Sequence, residues 1–544
     1  MDTTARDANQ PPPLVDYDPL ESDPALLDGL GREGAGWAEE RVRRASKLAG
    51  GDALEWGRLA NAYPPVLRTH DRYGERIDEV EFHPAWHDLM RSGVELGLHA
   101  SPWREAGPGA HVARAAAFML LAQAESGFGC PTSMTYAAVP ALRQQSDVAA
   151  EWEPRLTALE YDPRMVPVTE KAGALSGMTM TERQGGSDVR ANTTRAEPDG
   201  DAWAITGSKW FCSAPMCDAF LVLAQTANGL SCFLLPRWRP DGTRNALHIQ
   251  RLKDKLGNRS NASSEVEFDR AYARLVGPEG RGVPTIIEMV NHTRLDCVLG
   301  STGLMRRAVA EATHHAAHRM AFGKLLADQP LMRNVLADLA VETEAATLTS
   351  LRLARAYDEA WGGDATQRQF ARLATAVSKY WVCKRTPPTV AEALECLGGN
   401  GFVEDSQLPR LYRESPLNSI WEGSGNVIAL DVLRAIARSP ESVQAFFTEI
   451  ALAEGGDQRL DAAAAKLRDD LDDASHEQEA GARRIVERMA LVFQGSLLVR
   501  HGDEAVAGAF VGSRIEGDRG LAFGTLPPGV DTERIVERAT PRVG

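Results

Sequence analysis

The pattern of apolar residues changes twice along the chain, and this change constrains the fold more than any other feature of the sequence. From 36 to about 168 apolar residues recur every three or four positions, as in Val112–Leu121, which is the spacing of helices that bury one face. From 174 to about 278, short runs rich in β-branched and aromatic residues, such as Phe220–Leu223, alternate with glycine turns. Helical spacing returns at 282. The sequence therefore predicts a β domain between two helical regions.

The length of 544 residues exceeds what a single hydrophobic core accommodates, so several domains are expected. We place their boundaries where the residue pattern changes. The predicted segments are an N-terminal arm (1–35), an N-terminal helical domain (36–173), a β domain (174–281), a helical bundle domain (282–438) and a C-terminal helical extension (439–544). The predicted fold class is α+β and multidomain.

Composition and charge argue against several classes of protein. The net charge of −15 disfavours a chain that binds nucleic acid with its whole surface. The seven cysteines are scattered without a CxxC pair, which disfavours both a disulfide framework and a structural zinc site. No run approaches the roughly 20 apolar residues that span a bilayer. We expect a cytoplasmic protein that does not associate with membranes.

Three histidines near the end of a predicted helix raise the question of a metal site. His314 and His318 are four residues apart, with His315 between them, and that spacing can place two metal ligands on one helix face. No carboxylate lies at a fitting spacing. Helix packing therefore explains these histidines better, and no metal is predicted.

The octet 419–426 places Glu422 directly after Ile420 and Trp421 and directly before a glycine. Burial beside those two apolar side chains would raise the pKa of Glu422, and glycines let a backbone approach a flat ligand closely. A carboxylate in that setting can remove a proton from carbon. The octet alone equally allows a solvated glutamate in a turn before a helix.

A second motif opens the predicted β domain. Met178–Val189 reads as a strand that leads into a glycine turn with hydroxyl side chains on either side. Its backbone N–H groups and the hydroxyls of Thr181 and Ser187 can bind the polar edge of a ring system or a phosphate. The same residues also make an ordinary turn.

The order of these motifs along the chain resembles the acyl-CoA dehydrogenase family. The resemblance rests on the motifs Met178–Val189, Gly207–Ser213, Arg319–Lys324, Leu397–Phe402 and Trp421–Ser424. It implies a helical N-terminal domain, a middle β-barrel or β-sandwich domain and a C-terminal four-helix bundle, here followed by a helical extension.

Three further features resemble the AidB-type adaptive-response branch of that family. They are Phe82–His87, Lys253–Ser263 and Trp421, which stands where the family usually has Tyr. This resemblance extends over most of the chain. It implies a link to the response to DNA alkylation.

The resemblance implies FAD as cofactor and assigns residues to it. Thr181, Gly186 and Ser187 take positions at the edge of the flavin ring, and Ser213 takes that of a hydroxyl partner. Phe211 takes the place of the family's stacking aromatic residue, although a core position in a strand would also explain it. The full set of expected cofactor residues is Met180, Thr181, Gly186, Ser187, Phe211, Ser213, Arg319, Phe322, Glu395, Gly398, Gly399, Ile420, Trp421, Gly423, Ser424 and Asn426.

The residues expected at the dinucleotide end of FAD come from the later part of the chain. Arg319 and Phe322 match positions that reach the FAD of a neighbouring subunit, and for that reason a homotetramer is expected. Glu395, Gly398 and Gly399 match positions around the dinucleotide, but Gln is more usual at the first of these. Ser424 and Asn426 fall where the family holds the pyrophosphate, at the start of a helix, which suits anion binding.

Glu422 matches the catalytic base of the family. The implied reaction removes the α-proton of an acyl-CoA thioester and transfers the β-hydrogen as hydride to flavin N5. Some relatives place the base on a helix instead, but Thr293 occupies that position here and cannot serve. A nitroalkane oxidase is disfavoured because its family base is Asp, an acyl-CoA oxidase stays open, and short or branched acyl groups are the expected substrates.

The alternative function is a flavin-containing protein that binds or protects duplex DNA. In the AidB-type branch the C-terminal region carries the DNA contacts. Residues 455–544 contain 12 basic and 16 acidic residues, which weakens this hypothesis. Arg434, Arg483, Arg484 and Arg488 could still face one way, or they could form an ordinary solvated helix face.

Overall fold

The first part of the chain is mainly helical. The structure is a computed structural model that describes residues 9–472 and 478–542. The start of the predicted arm and parts of the predicted extension therefore lie outside the described residues. The elements up to residue 163 are α1 (Pro24–Arg32), α2 (Glu39–Gly50), α3 (Asp52–Ala62), β1 (Val66–His70), β2 (Arg76–Glu81), α4 (Pro84–Glu95), α5 (Ser101–Arg104), α6 (Ala110–Ala124), α7 (Gly129–Leu142) and α8 (Ser146–Leu156).

A hairpin within this helical part was not expected from the sequence. β1 and β2 pair in antiparallel fashion around a turn in which the Asp71 carboxylate accepts two backbone N–H groups, and Gly74 adopts φ +85°. Two such short strands give too few residues for an alternating pattern to stand out against helical spacing.

The middle part forms a sheet that closes on itself. Its strands are β3 (Ser176–Thr179), β4 (Arg195–Asp199), β5 (Ala202–Ser213), β6 (Ala219–Thr226), β7 (Gly229–Pro236), β8 (Leu247–Leu252) and β9 (Ser263–Val276). β6 pairs with β4 and β7, β4 with β5, β5 with β9, and β9 with β7. β3 joins β6 in parallel, and β8 joins β9. Residues 219–224 of β6 are all buried, as expected for a strand covered on both faces.

Long helices make up the rest of the chain. The elements are α9 (Gly282–His318), β10 (Met320–Ala321), β11 (Lys324–Leu325), α10 (Pro330–Trp361), α11 (Ala365–Cys396), α12 (Gly399–Phe402), α13 (Leu408–Glu414), α14 (Gly425–Arg438), α15 (Pro440–Ala451), α16 (Gln458–Asp472), α17 (Gln478–His501), α18 (Glu504–Phe510), a π-helix (Val511–Ile515) and α19 (Thr532–Ala539). The predicted order of helical, β and helical regions is confirmed. Within 9–472 and 478–542, no helix is long and apolar enough to cross a membrane.

The chain divides into two compact units. The first contains the residues up to Gly51, Gly107–Ala124 and those from Cys297 onward, and the second contains Asp52–Ala106 and Glu125–Asp296. In the first unit α11 packs against α10, α14, α15 and α17. In the second unit α7 packs against β3 of the closed sheet.

The N-terminal arm is fastened along α9 by polar contacts. The fully buried guanidinium of Arg307 donates to the carbonyl of Leu14 at 3.0 Å and to the hydroxyl of Tyr17 at 3.1 Å. The arm then forms α1, because Asp23 accepts a hydrogen bond from the Leu26 N–H and Pro24 occupies the first helical position.

Buried ion pairs fasten the C-terminal helices to the bundle. Glu449 on α15 accepts from Arg352 on α10 at 2.6 Å and from Arg500 on α17 at 2.7 Å. Burial alone would raise the pKa of Glu449, but the two guanidinium groups outweigh it and hold the pKa at about 2. The carboxylate therefore stays ionised and joins three helices.

Replacing Glu449 by Gln should lower the free energy of unfolding by about 3 kcal/mol at neutral pH, because Arg352 stays buried without its counter-charge. The carboxylate's contribution is present above the unfolded pKa of about 4.5 and is lost as the pH falls toward 2. Urea denaturation of both proteins at several pH values tests this. A difference that stays constant as the pH falls would contradict it.

Candidate functional site

The loop that carries Glu422 has an unusual backbone. Glu422 adopts φ +58° and Gly423 adopts φ +109°. The left-handed region is open to glycine but disfavoured for a bulky side chain, so Glu422 keeps this conformation only because its surroundings impose it. Such enforced backbone geometry is common where a side chain must point in one functional direction.

Two long helices hold this loop from behind. The indole Nε1 of Trp421 donates to Asn418 Oδ1 at 2.9 Å, and Asn418 Nδ2 donates to Ser301 Oγ on α9 at 3.1 Å. On the other side, the ammonium group of Lys379 on α11, which is almost fully buried, donates to the carbonyl of Gly423. The backbone on both sides of Glu422 is thereby fixed.

The Glu422 carboxylate lies partly inside the protein. The residue is half-buried, and its Oε2 atom is shielded from solvent. Trp421 is half-buried as well, but Ile420 is 61% exposed, so the expected burial of Glu422 beside Ile420 is wrong. Thr293 is buried and donates its hydroxyl to carbonyls of its own helix, in keeping with its exclusion as a base.

The N-terminus of α14 follows directly and attracts two further cations. Ser424 and Asn426 are exposed there, and Arg483 on α17 donates to Asn426 Oδ1 at 2.8 Å. A Cβ atom on Gly425 would lie 2.9 Å from Cε of Lys384 and 3.4 Å from Nη2 of Arg483. Burial and then the nearby positive charge of Arg483 lower the pKa of Lys384. Cations and a helix N-terminus together favour an anionic group.

Lys384 and Arg483 were not among the expected site residues. No local motif marks either of them, because α11 and α17 bring them to this point only in the folded chain. The sequence pointed to Arg483 in another context, as one of four arginines that could face DNA.

The glycine turn before α12 is open. Gly398 adopts φ +59°, and its N–H donates to the carbonyl of Glu395 at 2.8 Å. Glu395, Gly398 and Gly399 are exposed, and a Cβ atom on either glycine would meet no atom within 4 Å. These residues leave the backbone accessible to a molecule outside the chain.

The hairpin of β10 and β11 presents Phe322 to solvent. Phe322 is 98% exposed and adopts φ +52°. Arg319 donates to the carbonyl of Asn9, and the Asn9 side chain exchanges two hydrogen bonds of 2.8 Å with the backbone of Met320. The N-terminal arm therefore holds Arg319 in place.

In the second unit, backbone contacts define the glycine loop after β3. The Met180 carbonyl accepts from Asn192 Nδ2 at 2.9 Å, and the Thr181 carbonyl accepts from the Trp210 N–H at 2.8 Å. A Cβ atom on Gly186 would lie 2.6 Å from Thr181 Oγ1, so a larger residue there would require the Thr181 side chain to move. Ser187 is exposed.

A buried ion pair between Glu182 and Lys209 supports this loop. Glu182 accepts from Lys209 Nζ at 2.9 Å and from the backbone N–H groups of Thr193 at 2.7 Å and Thr194 at 3.1 Å. Burial opposes ionisation, but these donors hold the pKa of Glu182 at about 2. Neither Glu182 nor Lys209 was among the expected site residues, although both lie inside the motifs that were.

The exposed aromatic residue expected to stack on a flavin is present on β5. Phe211 is 47% exposed, so its interpretation as a strand core residue is wrong. Ser213 Oγ lies 3.4 Å from Ser263 Oγ, which also accepts from Lys255 Nζ at 3.2 Å. Phe211 lies where the pairing of β5 with β9 shifts register, between Lys209 and Cys212.

The histidines of α9 take part in packing. His314 Nε2 hydrogen-bonds the Pro12 carbonyl of the arm at 2.9 Å, and His318 Nδ1 hydrogen-bonds the His314 carbonyl at 2.8 Å. In the described part of the chain, no group of three or more His, Cys, Asp or Glu residues could hold a metal ion.

Comparison with known proteins matches the same three regions. Residues 9–163 match the adaptive response protein AidB N-terminal domain, 177–271 the acyl-CoA dehydrogenase middle domain and 280–437 the acyl-CoA dehydrogenase C-terminal domain. The putative acyl-CoA dehydrogenase AidB of Escherichia coli is 47% identical over 507 residues, covering 92% of this chain and 93% of that protein.

Two solved structures share the whole architecture. Caenorhabditis elegans ACDH-11 in complex with C11-CoA superposes with a TM-score of 0.85 at 28% identity, covering 97% of this chain and 92% of that one. Bd2924 in its apo form has a TM-score of 0.84 at 29% identity and covers 91% and 99%. The chain therefore belongs to the acyl-CoA dehydrogenase family of oxidoreductases that act on CH–CH bonds, with an N-terminal domain of the AidB type.

Proposed function

We propose that this protein is an FAD-dependent acyl-CoA dehydrogenase in which Glu422 is the catalytic base. The observation that carries the proposal is the loop around Glu422, which hydrogen bonds hold in place. Glu422 is half-buried, and its backbone adopts the left-handed conformation. A base that removes a weakly acidic α-proton needs a fixed direction and partial shielding from water. The fixed backbone at Glu422 gives the carboxylate one direction, and its half-buried position shields it partly from water.

The residues of each unit fit parts of FAD. The cations Lys384 and Arg483 at the N-terminus of α14 suit the pyrophosphate, together with Ser424 and Asn426. The loop of Thr181, Gly186 and Ser187, the exposed Phe211 and the hydroxyl of Ser213 suit a ring system with a polar edge. Met180, Ile420, Trp421 and Gly423 are proposed to contact the same cofactor.

In the proposed reaction, Glu422 takes the α-proton of the acyl thioester onto its carboxylate. FAD, when bound, would accept the β-hydrogen as a hydride, and the product would be a 2-enoyl thioester. The backbone N–H of Glu422 is proposed to donate to the thioester oxygen, which makes the α-proton more acidic. Because the contacts to Trp421 and Gly423 fix the loop, this donor and the base stay in one arrangement.

The substrate is proposed to be an acyl-CoA. The ACDH-11 structure was determined with C11-CoA, so acyl groups up to that length belong in a substrate panel beside the short and branched groups expected from the sequence. A homotetramer is proposed because Arg319, Phe322 and the open turn at Gly398 match family positions that contact the FAD of a neighbouring subunit. The exposure of Phe322 and Gly398 in this chain supports this.

The arginines of the C-terminal extension give little support to the alternative function of DNA binding. Most of those described are paired with other side chains of the protein, including Arg488 with Asp470 and Arg483 with Asn426. Arg434 and Arg484 are exposed. A link to an alkylation response therefore stays a hypothesis from the resemblance alone, and duplex DNA retardation at low salt tests it.

Replacing Glu422 by Gln should leave the purified protein yellow, since no proposed cofactor contact is removed. Anaerobic reduction of the flavin by acyl-CoA should slow by at least about 100-fold, because the amide cannot accept the α-proton. Stopped-flow absorbance of wild type and variant with the same acyl-CoA panel measures this. Full bleaching of the variant at the wild-type rate would refute Glu422 as the base.

Replacing Lys379 by Met should release the Gly423 carbonyl and let the loop leave its left-handed conformation. We expect the rate of flavin reduction at saturating substrate to fall about 10-fold or more, as expected when a catalytic group is displaced slightly. Arg372→Met is the matched control, since it removes an ion pair between α11 and α14 away from the loop. An equal fall in the rate of flavin reduction in both variants would contradict a specific role of Lys379.

Replacing Glu182 by Gln should weaken FAD binding and lower the free energy of unfolding by about 3 kcal/mol, because Lys209 loses its buried counter-charge. The double variant Glu182→Gln, Lys209→Met should recover part of the stability, since it leaves no unpaired charge. Flavin fluorescence titration and thermal denaturation measure the two effects. If Glu182→Gln alone left the stability unchanged, the ion pair of Glu182 and Lys209 would not support the loop.

A further inference from the structure

A lysine lies beside the aromatic residue proposed to contact the flavin. Lys253 Nζ is 3.3 Å from the ring centroid of Trp210 and 4.8 Å from that of Phe211. Its side chain is 10% exposed, so solvent screens the charge poorly. Lys253 begins the Lys253–Ser263 segment, which the proposed reaction does not otherwise use.

The surroundings of Lys253 leave an excess of positive charge. Glu265 on β9 accepts from Lys253 at 2.7 Å and also from Arg251 at 2.7 Å, so two cations share one carboxylate. Arg183 of the glycine loop adds a third cation, 5.2 Å from the ring centroid of Trp210. Of the two cations on Glu265, only Lys253 is within contact distance of the aromatic rings. Arg251 is 62% exposed.

We propose that Lys253 raises the reduction potential of the bound flavin by placing a positive charge next to Phe211. This inference rests on the proposed function, because it needs FAD on the exposed side of that ring. Reduction adds negative charge to a flavin, so a fixed cation in a poorly screened position favours the reduced form. Lys253 does not take part in proton removal, and its effect is on the tendency of the flavin to accept a hydride.

The two partners of Glu265 provide a matched comparison. Lys253→Met keeps the length of the aliphatic chain over Trp210 but removes the charge. Arg251→Met also removes one positive charge that is paired with Glu265, but at an exposed position away from the rings. Glu265→Gln removes the negative partner while Lys253 stays, so it should act in the opposite direction.

The test is the midpoint potential of the bound FAD, measured by anaerobic titration with a reference dye for the wild type and the three variants. We expect a more negative potential for Lys253→Met, a potential close to that of the wild type for Arg251→Met and a less negative potential for Glu265→Gln. Equal shifts in Lys253→Met and Arg251→Met, or no shift in Lys253→Met, would overturn the inference.

The outcomes separate this inference from the proposed function. A wild-type protein that takes up no FAD would refute the proposed function, whereas FAD with an unshifted potential in the variants would refute only the role of Lys253. If Lys253→Met does not retain FAD, Glu265→Gln decides the question, because it keeps the lysine and its aromatic contacts. A potential in that variant that is not less negative than that of the wild type would then overturn the inference.

Discussion

The buried contacts behind the loop of Glu422 are the constraint on which the candidate site depends. A glutamate in the left-handed region relaxes unless its neighbours hold it. Here an ammonium group holds the following carbonyl, and an indole, an amide and a hydroxyl form a chain of hydrogen bonds into α9. Because Lys379, Asn418 and Ser301 are buried, leaving any of them unpaired would cost free energy, and the loop cannot move without breaking these hydrogen bonds.

The same principle recurs at two other segments of the protein. Glu182 fixes the glycine loop through Lys209, and Glu449 fixes the C-terminal helices through Arg352 and Arg500. Each carboxylate is buried, and each is ionised because its donors outweigh the cost of desolvation. Buried pairs of this kind contribute little net stability compared with apolar packing, but they fix one arrangement of the segments they join.

The N-terminal arm shows how a polar segment without a core of its own becomes ordered. Its carbonyl groups at Pro12 and Leu14 accept hydrogen bonds from His314 and Arg307 on α9. Near its described end, Asn9 contacts Arg319 and Met320, next to the exposed Phe322. The arm therefore orders residues that the family resemblance places at the cofactor of a neighbouring subunit.

Much of this protein could be predicted from its sequence. Apolar spacing predicted the helical and β regions, and the local motifs indicated the loop at Thr181, Phe211 and Glu422 as candidate site residues, because residues close in sequence share one turn or strand. The hairpin at Val66–Glu81 escaped because its strands are short, and the enclosure of Glu422 by Ile420 was expected but is not seen. Lys379, Lys384 and Arg483 carried no local signal that tied them to the loop of Glu422, and Lys253 was noted only as the first residue of the Lys253–Ser263 motif.

The sequence by itself determined the order of the regions, the family and the residues of each motif, since these depend on local spacing and residue type. The tertiary structure alone decided which cations meet the loop at Glu422, which carboxylates are paired and which aromatic faces stay open. Those contacts join residues far apart in the chain, such as Arg483 with Asn426 and Lys379 with Gly423. Their energies depend on burial and distance, and neither is fixed until the helices and strands have packed.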